Sequence, residues 1–200
     1  MPVVLLKYLA RNTTIFHHTR WPVYWGVMPR IRAALDLAVG ERLLDVGCGT
    51  GMCAPLARGP YLGIDTALAS LAFAHRRFAG PQRHIAAMSA GAMGVVPGSF
   101  EKCAVVNVAH HLDDAALDTL LGEIRKVVGG AVVVVDPAPD IGNAVERAIL
   151  RHDRGEYVRP RGALRARLAR RYEIEHEETF HNRLHILPQV LFRLRPREAS

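Results

Sequence analysis

The nine residues Leu43-Leu44-Asp45-Val46-Gly47-Cys48-Gly49-Thr50-Gly51 constrain the fold more than any other stretch of the chain. An apolar run that stops at an acid and passes into glycine at every second position reads as a buried strand followed by a loop, with a helix-like segment expected from Met52 to Arg58. Glycines at 47, 49 and 51 let the backbone turn sharply and leave no side chain between it and a ligand. In an open α/β sheet such a turn lies at the carboxyl end of a strand, where ligands collect. The stretch is therefore a candidate cofactor loop.

Its spacing narrows the cofactor. Dinucleotide folds seat a pyrophosphate with G-x-G-x-x-G, whereas here the third glycine comes one residue early. Asp45, two residues before the first glycine, would face a pyrophosphate across a short gap, so a ligand with a cationic end suits the loop better. On these residues the chain resembles the class I S-adenosylmethionine-dependent methyltransferases, whose first motif reads [VIL]-[LI]-D-[VIL]-G-C-G-T-G. The resemblance covers residues 41–136 well and the remainder in outline. It implies S-adenosylmethionine as cofactor and methyl transfer as the activity.

Further strands follow in order. Tyr61-Leu62-Gly63-Ile64-Asp65 again ends on an acid, and Asp65 stands eighteen residues beyond Gly47, close to the separation at which α/β nucleotide sites place a carboxylate on ribose hydroxyls. A carboxylate at a strand end can also cap the next helix, expected from Ala67 to Ala79. Gln82 to Met88 is the third candidate strand, followed by Ser89 where the family usually carries an acid that meets adenine. Strand four is expected at Ala104 to Val108, and Val96-Pro97-Gly98-Ser99-Phe100-Glu101 resembles the family's lead-in to it. Behind it, Ala109-His110-His111-Leu112-Asp113-Asp114 resembles a family stretch at the mouth of the acceptor pocket. An imidazole titrates near neutrality, so His110 and His111 are the candidate bases for the acceptor.

Asp113 or Asp114 caps a helix that runs to about Val128, where Gly129-Gly130 ends it. Ala131 to Asp136 is an uninterrupted β-branched run, as expected of a central strand buried on both faces, with Pro137 and Pro139 ending it. Asp136 either orients an acceptor or makes a local loop contact. Ile141 to Arg171 has a helical pattern broken between Gly155 and Gly162, and two strands, Tyr172 to Glu177 and Ile186 to Leu194, close the chain. His181 and His185 have metal-like spacing but no matching acid or cysteine, so no metal is expected.

Residues 1–39 precede the first strand. Their aromatic residues, Phe16, Trp21, Tyr24 and Trp25 among them, and the breaks at Pro22 and Pro29 read as helical pieces. Ile31, Leu35 and Leu37 are expected to pack on the sheet, and Phe16 to Trp25 to form a lid over an apolar acceptor pocket.

Two hundred residues, half of them apolar, suffice for one α/β domain and are too few for two. No apolar run approaches the roughly 18–20 residues of a membrane span. Three cysteines without paired spacing argue against a disulfide framework and fit a cytoplasmic setting. The net charge of +7 is concentrated in arginines from Arg147 onward, either a solvated helix face or a seat for an anionic group of the acceptor or a membrane surface.

Together these readings predict an α/β fold with a doubly wound, mostly parallel seven-stranded sheet, in a single domain of residues 1–200 made of a helical cap or lid, residues 1–39, and an α/β core, residues 40–200. The resemblance implies cofactor contacts from Asp45, Gly47, Cys48, Gly49, Gly51, Asp65, Thr66, Ser89 and Asn107. The expected partner is a small-molecule or lipid-like methyl acceptor and not a nucleic acid. The competing readings are an NAD(P)-dependent oxidoreductase or non-catalytic cofactor binder on a similar sheet, and a nucleic-acid-binding protein suggested by charge alone.

Overall fold

The computed structural model describes residues 26–143, 156–181 and 188–197. Phe16 to Trp25, Arg147, Arg151, Arg154 and His185 lie outside them. Seven strands form one sheet: β1 (Leu43–Val46), β2 (Tyr61–Asp65), β3 (Arg83–Ala87), β4 (Lys102–Val106), β5 (Val132–Pro137), β6 (Tyr172–His181) and β7 (Pro188–Pro196), in the order β3-β2-β1-β4-β5-β7-β6. Strands β1 to β5 pair in parallel, and β7 enters antiparallel between β5 and β6. This is the predicted doubly wound sheet with its last strand reversed.

Period-two alternation divides the strands between two apolar layers. Leu44, Val46, Val105, Val132 and Val134 face α3 (Asp114–Val127) and α4 (Arg161–Leu168) through Leu117, Leu121, Ile124, Leu164 and Leu168. Leu43, Tyr61, Ala104, Val133 and Val135 face the other side, where α1 (Met28–Leu35) buries Ile31 and Leu35 completely and α2 (Leu68–Phe78) adds Phe78. Burial of Ile31, Leu35 and Leu37 is as expected, and truncating a fully buried Ile or Leu costs ~2–5 kcal/mol. Pro29 occupies the first turn of α1, where its missing N–H costs nothing, and so does not break it.

Several boundaries differ from the sequence reading; β6 runs on to His181 where Glu177 was the expected end, and β7 to Pro196 where Leu194 was. The helix expected over Met52 to Arg58 is a single 3₁₀ turn, Ala54–Leu56, because Pro55 and the short link to β2 leave no room for more. Strand β4 begins and ends two residues early, since Asn107 turns into the left-handed region at φ 55°. Pro137 is the last residue of β5 and does not precede its end. Asp113 caps α3 as expected, accepting from the Ala116 N–H at 2.8 Å.

Candidate functional site

A cleft of about 620 Å³ opens at the carboxyl ends of β1, β2 and β4. The loop after β1 forms its base. Gly47 has φ 68°, and a Cβ there would stand 2.4 Å from a methyl of Val108, so only glycine fits. Gly49 at φ 51° has open space where a Cβ would lie, a bare backbone facing the cleft. Gly51 differs from expectation: it is not among the lining residues, and its missing side chain instead admits the ring of Phe78, with a Cβ only 2.7 Å from it.

Both acids anticipated at strand ends line the cleft, with distinct attachments. Asp65 accepts from the Gly49 N–H and from the Ala67 N–H, each at 2.8 Å, so one carboxylate fastens the glycine loop to the start of α2. Asp45 is buried, and its carboxylate accepts the hydroxyl of Tyr61 at 2.7 Å. Burial pushes its pKa up to about 7; the Tyr61 hydrogen bond opposes this, and the negative charge of Asp65 adds to it. Because the folded pKa lies above the ordinary carboxylate value, Asp45 contributes stability below that value and loses it as pH rises through about 7. Cys48 also lines the cleft, but burial raises its thiol pKa, so it is an inert small side chain packed over Gly63.

Thr66 and Ser89 line the same cleft, the Ser89 hydroxyl accepting from the Gly91 N–H at 3.2 Å. Asn107 lines it too, with its side-chain carbonyl accepting from Gln189 Nε2 on β7 at 3.0 Å.

The two histidines, equivalent in the sequence, part company. Successive residues of a 3₁₀ turn point about 120° apart, and the pair sits in one, Ala109–His111. His111 lines the cleft. His110 turns inward and is 2% exposed, its Nδ1 2.8 Å from Asp136 Oδ1, and it is not among the residues lining the cleft. The two rings remain in contact, centroids 4.0 Å apart. Asp136 is equally buried; desolvation raises its pKa and the His110 bond works against that.

Arg159 was legible only as one of a basic run. It donates to the carbonyls of Ala109 (2.8 Å) and Leu112 (2.7 Å) and pairs with Asp114, bracing the histidine turn from a segment 50 residues away. Of the other described arginines in this run, Arg161 and Arg165 pair with Glu177, Arg167 with Asp114 and Asp118, and Arg170 with Asp118.

The donor set decides between cofactors. No lysine or arginine lines the cleft among the described residues, while two carboxylates do, and the glycine loop runs into a three-residue 3₁₀ turn with no α-helix N-terminus to receive a pyrophosphate. The site suits a ligand with a cationic end and hydroxyl groups. A seven-stranded sheet in this order with such a loop is the Rossmann-like methyltransferase fold. Residues 43–131 match the methyltransferase domain family, set in a chain whose fold is that of S-adenosylmethionine-dependent methyltransferases.

Solved structures agree on the fold. An S-adenosylmethionine-dependent methyltransferase from Mesorhizobium loti superposes with TM-score 0.69 at 20% identity, over 86% of this chain and 97% of that one. One from Methanosarcina mazei gives 0.68 at 18% identity, over 85% and 98%. Geranyl diphosphate C-methyltransferase from Streptomyces coelicolor, solved with Mg²⁺, geranyl-S-thiolodiphosphate and S-adenosyl-L-homocysteine, gives 0.70 at 14% identity, over 86% and 75%. Comparison with curated protein sequences returns no match.

Proposed function

We propose that the chain methylates a small acceptor with an apolar body, using His111 to take up the proton that the acceptor loses. The observation that supports this is the composition of the cleft. Carboxylates Asp45 and Asp65 lie toward β1 and β2, and the lining also includes His111 and the apolar side chains of Met28, Val106, Val108 and Leu112. Bound S-adenosylmethionine supplies a methyl group that its sulfonium already makes electrophilic. The chain's own residues then have three tasks: Asp45 and Asp65 hold the cofactor's amino-acid and ribose ends, the apolar lining excludes water, and His111 receives a proton at its ring nitrogen. Alignment of nucleophile and methyl accounts for most of the acceleration in such a site.

Among the described residues the ion-paired arginines supply no free cation for an acceptor's anionic group, and an acid-lined cleft disfavours nucleic acid, whose binding rests on phosphate neutralisation. Incubation with S-adenosylmethionine labelled at the methyl group and a panel of small phenolic, amine, thiol and isoprenoid acceptors tests the proposal. Label is expected in an organic-soluble small product; label in bulk RNA or DNA would overturn it.

Asp65→Ala is expected to weaken S-adenosylhomocysteine binding by ~1–3 kcal/mol, the scale of charge-assisted hydrogen bonds to a hydroxyl pair. Isothermal calorimetry reads this directly. An unchanged affinity would remove Asp65 from the binding site and leave it as a loop fastener.

A further inference from the structure

Tyr61 is 1% exposed, a large side chain at the first position of β2. In the parallel register Leu43 lies opposite Tyr61 and Asp45 opposite Gly63. Residues two apart share a face, so Tyr61 and Gly63 look toward the same side of the sheet. Gly63 leaves that face open: a Cβ there would stand 2.7 Å from the Tyr61 hydroxyl and 3.0 Å from Cys48 Sγ. The phenol therefore runs along the bare glycine to reach the neighbouring strand, where it donates to Asp45 Oδ2 at 2.7 Å.

We infer that Tyr61 is a positioning residue of the cofactor cleft, which keeps the buried Asp45 carboxylate ionised and available to the cationic amino-acid end of the ligand. Among the described residues, the other titratable groups around Asp45 disfavour its charge or are neutral. Asp65 at the end of β2 repels it, and the thiols of Cys48 in the glycine loop, Cys53 just before the 3₁₀ turn and Cys103 on β4 are un-ionised because burial raises their pKa values. The Tyr61 hydroxyl is itself locked as a donor, since burial and Asp45 push its own ionisation well up. Ligand binding is then linked to a proton: the cleft holds its ligand in the ionised form of Asp45 and releases it when that carboxyl is protonated.

The inference rests on the cofactor assignment, and one experiment separates the two. The affinity of S-adenosylhomocysteine is measured by calorimetry from pH 5.5 to 8.5 on the full chain, on Tyr61→Phe and on Asp45→Asn, with thermal melting of each. Wild type is expected to lose affinity below a midpoint near 7, roughly 30-fold by pH 5.5 if only the ionised form binds. Tyr61→Phe moves the midpoint to higher pH; a midpoint of about 8 would weaken binding at pH 7 roughly fivefold relative to wild type, with recovery toward wild type at the alkaline end. Asp45→Asn binds weakly with no midpoint. A Tyr61→Phe that is equally weak at every pH would overturn the inference, since that is what a packing role gives. If Tyr61→Phe does not fold, the wild-type profile decides, and a flat one overturns the inference while leaving the cofactor assignment in place. Absence of binding at every pH would overturn both.

Discussion

Asp136→Ala is expected to destabilise the protein by ~3–5 kcal/mol, because it strips a fully buried histidine of its charged partner and leaves the ring facing a void. The pair is 2.8 Å apart, 3% and 2% exposed, and lies where β5 ends beneath the histidine turn. Urea denaturation reads the loss as a lower midpoint at unchanged slope. Asp136→Asn keeps the shape and one hydrogen bond and should cost markedly less. If the two substitutions destabilise equally, shape is irrelevant and the charge alone matters; if Asp136→Ala is neutral, the pair contributes nothing to the fold.

His111→Ala is expected to reduce turnover by about 10²–10⁴-fold, the usual range for a general base, with S-adenosylhomocysteine affinity changed only a few-fold. The asymmetry with its neighbour sharpens the test. His110→Ala removes a buried group and should act on the melting temperature, whereas His111→Ala removes a group at the cleft and should act on kcat. Turnover at the wild-type rate in His111→Ala would show that the acceptor needs no protein base, as for a nucleophile already deprotonated in water.

How much of this was legible beforehand depended on how local the cause was. The strand ends at Asp45 and Asp65, the Asp113 cap and the buried run of β5 are set by neighbours in sequence, and their patterns are readable there. The end of β4 was misplaced because Asn107 takes the left-handed region, which asparagine tolerates better than most residues but adopts only where its surroundings require it. A helix was expected after the glycine loop although Pro55 and only fourteen residues between Val46 and Tyr61 argued for a shorter connection. The roles of His110 and Arg159 were hidden for another reason. Each is assigned by a partner far along the chain, Asp136 for one and the carbonyls of residues 109 and 112 for another, which no local window contains. Tyr61 left a fainter signal, an aromatic two residues before a glycine on the strand beside an acid, readable once the strand register is known.

The insertion of β7 between β5 and β6 has a consequence for how this protein is made. Synthesis runs from the amino end, so β1 to β5 leave the ribosome while the strand that covers the flank of β5 has yet to be translated. During that interval Val132 to Val135, an unbroken β-branched edge, presents free amide and carbonyl groups to whatever extended chain is near. The strand that relieves it also supplies Val190, Phe192 and Leu194, all fully buried, so the half-made sheet is short of core as well as of partners. A transcript truncated before residue 188 therefore yields a sticky polypeptide, and a nascent chain of this topology is a natural client for chaperones that shield exposed strand edges until the final strand arrives.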